Sequence, residues 1–157
     1  MGARERTYGH DFERMVASDL RTAFPAATVH RSSQADRAYA SDVCVEGEAP
    51  TLVHRIWWEC QTAADPTPID KLAQAERDLA DFHGRGALAP WKLPVVVWRR
   101  KRSRTVNATM RLATLNLLAH QRPVCRGDSL DGVVVTVEWG DLIDLLKADK
   151  PAQGGGA

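Results

Sequence analysis

The chain has 157 residues and a net charge of +1 at pH 7, and its shares of hydrophobic (44%) and charged (26%) residues are ordinary for a soluble globular domain. No apolar run approaches the roughly 20 residues that a membrane-spanning helix needs, and the overall charge does not indicate a nucleic-acid binder. Three cysteines without CxxC spacing indicate neither a disulfide framework nor a zinc site. We therefore expect a cytoplasmic protein with reduced thiols.

The first half of the chain predicts a helix followed by three strands. From Tyr8 to about Ala23, apolar residues recur with the 3.6-residue period of an amphipathic helix, and Pro25 ends it. Residues 1–7 are polar and are expected to be loose. Strand-forming residues dominate three further segments, at 27–31, 41–47 and 51–62.

The second half alternates helices and strands. Thr67 and Pro68 are typical of a helix start and Gly84 of a helix end. The apolar run LPVVVWRR at 93–100 is typical of a strand buried on both faces. The remaining predicted elements are a helix at 107–120, a strand at 132–139 and a helix at 140–148.

This order of elements predicts one α/β domain over residues 1–150, with a mixed central sheet between layers of helices. The tail at 151–157, PAQGGGA, has nothing to bury and is expected to be disordered. The apolar residues after 105 either pack on the sheet or form a dimer surface.

One carboxylate, Glu59, interrupts the apolar run IWWECQ of the third predicted strand. Because alternate side chains of a strand share a face, Glu59 is expected beside Trp57 and Gln61, with the neighbouring side chains facing the core. Asp42 lies on the preceding strand, so the two carboxylates approach each other if these strands pair. Two carboxylates at such a short distance raise each other's pKa unless a cation lies between them. Mg²⁺ is a suitable cation because it prefers oxygen ligands.

Two other features bear on function: a third acid and a basic segment. The acid is Glu13, which lies at the margin of the apolar face of the first helix and can reach the site of Asp42 and Glu59. The segment WRRKRSR at 98–104 places five basic side chains in seven positions. Such a local basic face can bind phosphates on a near-neutral protein, although a solvated loop is the alternative interpretation.

In sequence, these motifs read GHDFER on the first helix, RS before a loop, SDV, WECQ and, after a helix, PVVVWRR. Their order and spacing resemble the PD-(D/E)XK nuclease superfamily, and within it the archaeal-type Holliday-junction resolvases and their phage relatives, over about residues 9–102. The resemblance implies a restriction-endonuclease-like αβββαβ core with a mixed central sheet flanked by helices. A residue usage with far more arginine than lysine and abundant alanine suits a GC-rich bacterial host or its phage.

The resemblance implies a metal-dependent endodeoxyribonuclease that hydrolyses phosphodiesters of branched DNA during recombination and acts as a homodimer. The expected cofactor is Mg²⁺ or Mn²⁺, as one ion or two. The implied catalytic residues are Glu13, Asp42, Glu59, Gln61 and Lys71. The implied metal ligands are Asp42, Glu59, the backbone carbonyl of Cys60, and Glu13. The implied DNA contacts are Arg14, Arg31, Ser32, Arg99, Arg100, Lys101 and Arg102.

The chain departs from the superfamily at Gln61, where a lysine is usual. An amide can orient a water molecule but carries no charge. Lys71, near the start of the following helix, is a candidate substitute that can reach back over the site. If neither residue serves, the alternative is a non-catalytic DNA-binding or phage assembly protein on the same fold. A nuclease of this superfamily with another DNA substrate is a further alternative.

Overall fold

The computed structural model describes residues 3–32, 41–47, 51–84, 92–120 and 132–148. These residues form a six-stranded mixed sheet whose strands lie in chain order from one edge to the other. The strands are β1 (Thr28–Arg31), β2 (Val43–Glu46), β3 (Ile56–Ala63), β4 (Leu93–Arg100), β5 (Asn107–Arg111) and β6 (Val134–Glu138). The predicted tail at 151–157 and Cys125 lie outside the described residues.

Four helices flank the sheet, and the predicted α/β class with a mixed sheet is confirmed. They are α1 (Ala3–Ala23), α2 (Pro68–Gly84), α3 (Leu112–His120) and α4 (Trp139–Lys147). Only β3 and β4 run parallel among the described strand pairs, and α2 is the crossover that such a pair requires.

The two faces of β3 serve different layers, as the alternation of its side chains predicts. Trp58 is fully buried in the main core, together with Phe12 and Leu20 of α1, and its ring meets the ring of Trp139 edge-on at 5.6 Å. Trp57 faces the other way and packs in a second cluster with two residues of α2, Ala75 and Leu79. The helix α1 therefore covers one face of β3, and α2 covers the other.

The predicted helix at 107–120 is wrong over its first five residues, which form β5. This segment pairs with β4 on one side and with β6 on the other, and it buries Ala108 and Met110 completely. Ala and Met are helix formers, but pairing on both sides decides the conformation. Among the described apolar residues after 105, Leu118 and Leu142 join the main core, whereas Val133 is exposed.

The predicted strand bounds also need correction. Leu52–Arg55 form a 3₁₀ turn, and β3 begins only at Ile56. The turn is held where the His54 Nδ1 accepts a hydrogen bond from the Thr51 backbone N–H at 3.0 Å, and its apolar residues are buried without pairing. The strand predicted at 132–139 is shorter, because β6 covers only Val134–Glu138. The first helix is longer than predicted, since α1 begins at Ala3, within the stretch expected to be loose.

An ion pair ties α2 to β5 and gives a first prediction. The Nε and Nη2 atoms of Arg111 donate to the two carboxylate oxygens of Glu76, each at 2.6 Å, and both side chains are about 30% exposed. Two parallel hydrogen bonds to a carboxylate are stronger than an ordinary surface ion pair. In a double-mutant cycle of Glu76→Gln and Arg111→Met, we expect a coupling of about 1 kcal/mol in urea unfolding. Additive effects of the two changes would contradict this.

Candidate active site

Asp42 and Glu59 lie opposite each other on one side of the sheet. Val43 of β2 pairs with Trp58 of β3, so the preceding residue, Asp42, falls opposite Glu59. The Asp42 Oδ2 accepts a hydrogen bond from the backbone N–H of Cys60 at 2.8 Å, which fixes the carboxylate against β3. The negative charge of Asp42 acts on Glu59 strongly enough to contribute to its raised pKa. The structure therefore brings together the two acids that the sequence placed on adjoining strands.

The Glu59 carboxylate is buried, with 7% of the residue exposed, and each of its oxygens accepts a donor. The indole Nε1–H of Trp57 donates to Oε1 at 2.7 Å, and the Nζ of Lys71 lies 2.7 Å from Oε2. Burial raises the pKa of Glu59, and the charge of Asp42 raises it further. The pKa stays raised even though Lys71 and Trp57 act in the opposite direction.

Lys71 reaches this pair from the first turn of α2, where its backbone N–H bonds to the Thr67 carbonyl at 3.1 Å. Burial of the ammonium lowers the pKa of Lys71, but the attraction and hydrogen bond of Glu59 and the charge of Asp42 outweigh it, so the pKa is raised. Lys71 is therefore a cation at neutral pH. The structure places Lys71 beside Glu59, while its catalytic role stays a prediction.

Gln61 lies two residues after Glu59, on the same face of β3. Its Nε2 is 3.5 Å from the hydroxyl oxygen of Thr67, a long contact. Its Oε1 is buried and has no hydrogen-bond partner among the described residues. A buried carbonyl oxygen without a donor is unfavourable, and a water molecule is the usual partner at such a position. The amide is thus suited to orienting a water beside Glu59.

Glu13 does not join the acid pair as the sequence predicted. It projects from α1, which covers the opposite face of β3. Its Oε2 accepts a hydrogen bond from the Arg31 Nε at 2.8 Å and lies 2.7 Å from the Arg31 Nη2 in the same ion pair. Its charge nevertheless contributes to the raised pKa of Cys60. Arg31, expected to contact phosphate, is thus engaged with Glu13. Across the described residues, no group of three or more His, Cys, Asp or Glu side chains is arranged to hold a metal ion.

Two carboxylates are still sufficient for one kind of metal site. Mg²⁺ commonly takes one or two protein carboxylates and completes its shell with waters and substrate phosphates. In a strand, the N–H and C=O of one residue point to the same neighbour. The Cys60 carbonyl therefore faces the same strand edge as its N–H, which bonds to Asp42. Asp42, Glu59 and the Cys60 carbonyl offer oxygens of the kind that such an ion binds, and Lys71 would have to leave Glu59 for the ion to reach it.

Four basic residues at the end of β4 and in the turn after it, Arg99–Arg102, form a group that we call the basic strand end. This group lies at the same end of the sheet as Asp42 and Glu59, the acid pair. In the parallel pairing of β3 with β4, Glu59 lies opposite Val96, and Arg99 is three residues further along, about 10 Å away. The Arg99 guanidinium lies 4.8 Å from the centroid of the Phe12 ring, and the Lys101 Nζ lies 5.2 Å from that of Tyr8. Both rings belong to α1, so Arg99 and Lys101 are held beside this helix, and the Arg99 side chain lies on the face of the sheet opposite Glu59.

The remaining predicted DNA contacts differ in their exposure. Arg100 is exposed and pairs at 3.4 Å with Asp65. Arg102 lies in the turn after β4 with a φ of 69°, and Arg14 is exposed on α1. Ser32, in contrast, is buried, and its hydroxyl donates to the Ser41 carbonyl. Direct phosphate contact by Ser32 is therefore not supported.

Sequence reasoning missed two residues that position the acids. Trp57 was expected only to share a strand face with Glu59, yet its indole N–H donates to the Glu59 carboxylate. The signal was its place two residues before a carboxylate on the same strand face. The backbone N–H of Ser32 donates to the Asp42 carbonyl at 3.1 Å, which supports the segment that carries Asp42.

No protein-family model, curated protein or solved structure matches this chain. The search of the described residues for a helix long and apolar enough to cross a membrane finds none.

The thiol of Cys60 gives a second prediction. Burial raises the pKa of Cys60 well above its ordinary value, and the charges of Asp42, Glu13 and Glu59 add to the effect. Because the thiolate is the reactive form, we expect Cys60 to resist alkylation by iodoacetamide at pH 8 in the folded protein and to react readily in urea. Peptide mass spectrometry measures this. Equal labelling of Cys60 in the folded and unfolded chains would contradict the raised pKa of its thiol.

Proposed function

We propose that this protein is a divalent-metal-dependent, structure-selective DNA endonuclease that cleaves four-way junctions, built on a restriction-endonuclease-like core. The observation that carries the proposal is the convergence of Asp42 and Glu59 across adjoining strands, with the ammonium of Lys71 2.7 Å from Glu59. The order of the first six main elements, α1 to β4 with β3 and β4 parallel, supports the αβββαβ core that the sequence resemblance implies.

Asp42, Glu59 and the Cys60 carbonyl would hold one Mg²⁺ or Mn²⁺. Such an ion supplies a bound water of lowered pKa and neutralises charge that develops on the phosphate. The chain provides the acids already aligned, since the Cys60 N–H holds Asp42 and the Trp57 N–H holds Glu59. This alignment removes the need to order the ligands when the ion and the DNA arrive.

Lys71 and Gln61 together replace the lysine that the superfamily usually carries after the glutamate: Lys71 supplies the positive charge, and Gln61 orients the water. The Lys71 ammonium, once it leaves Glu59, stabilises negative charge on the phosphate. Gln61 orients the attacking water through its buried, unpartnered Oε1. Charge and water placement thus come from two side chains on neighbouring elements.

The basic strand end contacts the DNA backbone. Arg99, Arg100, Lys101 and Arg102 follow the acid pair along the sheet, and contacts of such side chains with phosphates position DNA without reading its sequence. This suits an enzyme selective for shape. In the proposed homodimer, each subunit cleaves one of two strands of the junction.

One observation favours a non-catalytic DNA-binding protein as the second candidate. Both oxygens of Glu59 already accept donors, from Trp57 and from Lys71. If Lys71 never leaves, the acid pair is a structural ion pair and the basic strand end alone binds DNA.

Cleavage assays with labelled substrates separate the candidates. The purified protein is incubated with a four-way junction, a flap, a linear duplex and a single strand, in Mg²⁺, Mn²⁺ or EDTA. We expect paired nicks in the junction that depend on the metal. Preferential cleavage of another substrate would retain the chemistry and change the substrate. DNA binding with no cleavage in either metal, and no heat of metal binding by calorimetry, would favour the non-catalytic candidate.

A further inference from the structure

The acid pair contains a cation that belongs to the protein itself. Asp42 and Glu59 are two carboxylates at adjacent positions, and Glu59 is buried. Two buried carboxylates at so short a distance destabilise the fold unless a positive charge compensates their repulsion. Among the described residues, Lys71 supplies that charge through its 2.7 Å contact with Glu59 Oε2.

The two donors to Glu59 differ in how they would respond to a second cation. Trp57 is neutral, and its indole is fixed by packing against Ala75 and Leu79, so its hydrogen bond to Oε1 can remain. The Lys71 ammonium is a full positive charge, which a divalent ion on the same carboxylates would repel. Its side chain is partly exposed, and its four-carbon stem is flexible, so it can turn away while the backbone of α2 stays in place.

We infer that Lys71 is an internal placeholder for the metal: its ammonium occupies the acid pair in the metal-free protein, and leaves Glu59 for the phosphate of bound DNA when a divalent cation enters. This inference rests on the proposed nuclease function and concerns the regulation of the same site.

Two consequences follow from this competition. Without DNA, Lys71 weakens metal binding because its contact with Glu59 must first be broken. With DNA bound, the released ammonium gains a phosphate partner, so metal and DNA each strengthen the binding of the other. The metal-free protein meanwhile avoids an uncompensated pair of acids.

Metal affinity without DNA tests the inference directly. Lys71→Met keeps most of the stem and removes the charge. We expect its dissociation constant for Mn²⁺, measured by calorimetry without DNA, to be at least about tenfold lower than that of the wild type. The variant should melt at a lower temperature than the wild type in EDTA, and Mn²⁺ should raise its melting temperature by more. Lys147→Met is the matched control, because Lys147 pairs with the exposed Asp144 on α4, and it should bind Mn²⁺ within twofold of the wild type.

The outcomes separate this inference from the proposed function. If the wild type binds Mn²⁺ and Lys71→Met binds it equally or more weakly, the placeholder role is wrong and the nuclease proposal stands. If neither protein binds Mn²⁺ and neither melting temperature responds to it, both fail.

A measurement on the wild type covers the case in which Lys71→Met does not fold. Acetylation of lysines by a limiting reagent is quantified by peptide mass spectrometry in EDTA and in Mn²⁺. We expect labelling of Lys71 to rise at least threefold in Mn²⁺ while that of Lys147 stays constant. Unchanged labelling of Lys71 in a protein that binds Mn²⁺ would overturn the inference.

Discussion

Asp42→Asn is expected to lower the rate of junction cleavage by about 100- to 1,000-fold, the range seen when one electrostatic contribution to a transition state is removed. The substitution removes one of the two charges of the acid pair. It retains an oxygen that can accept the hydrogen bond from the Cys60 N–H, so the segment before β2 should keep its position. Single-turnover cleavage of a labelled four-way junction in Mg²⁺ measures the effect.

The stability of the same variant distinguishes a chemical role for Asp42 from a structural one. The charge of Asp42 contributes to the raised pKa of Glu59, so its removal should lower that pKa and should not destabilise the fold. We expect Asp42→Asn to melt no lower than the wild type. Asp144→Asn, an equal change of charge on the exposed face of α4, should retain cleavage within about threefold. Cleavage by Asp42→Asn at the wild-type rate would remove Asp42 from the active site.

Trp58→Ala is expected to destabilise the protein by about 3–5 kcal/mol, the usual cost of truncating a buried tryptophan. Trp58 has no exposed surface, lies opposite Val43 in the β2–β3 pair and packs edge-on against Trp139 at 5.6 Å. Its removal therefore leaves a cavity at the point where α1, α4 and the sheet meet. The free energy of unfolding in urea measures the loss.

Trp58→Phe is the matched control for that cavity. It keeps an aromatic ring, and the indole N–H that it removes has no hydrogen-bond partner among the described residues, so no hydrogen bond is lost. We expect it to cost less than about 2 kcal/mol. A loss of less than about 1 kcal/mol for Trp58→Ala would place Trp58 outside the core.

Side-chain periodicity carried enough information to predict the two faces of β3. The alternation of Trp57 and Trp58 assigned one ring to each layer, and the structure places them in separate clusters. Thr67 and Pro68 likewise predicted the start of α2, because capping and a fixed proline φ act locally. Local chemistry thus accounts for the elements that carry Glu59 and Lys71.

Features that depend on distant partners were harder to predict. Residues 107–111 contain helix formers, and only pairing with strands on both sides makes them β5. The ion pair of Glu13 with Arg31 joins α1 to β1. Whether these two side chains meet depends on the angle at which the helix crosses the sheet, and a periodic pattern does not specify that angle. For the same reason Glu13 was expected in the acid pair and lies instead on the side of α1.

The crossover helix α2 governs Glu59 twice. It carries Lys71 itself, and through Ala75 and Leu79 it holds the indole of Trp57. Glu76, which lies between Ala75 and Leu79 in the chain, anchors the same helix to β5. A small shift of α2 along the sheet would thus displace both hydrogen-bond donors of the Glu59 carboxylate at once. The ion pair of Glu76 with Arg111, which limits such a shift, therefore helps to hold Glu59 in position.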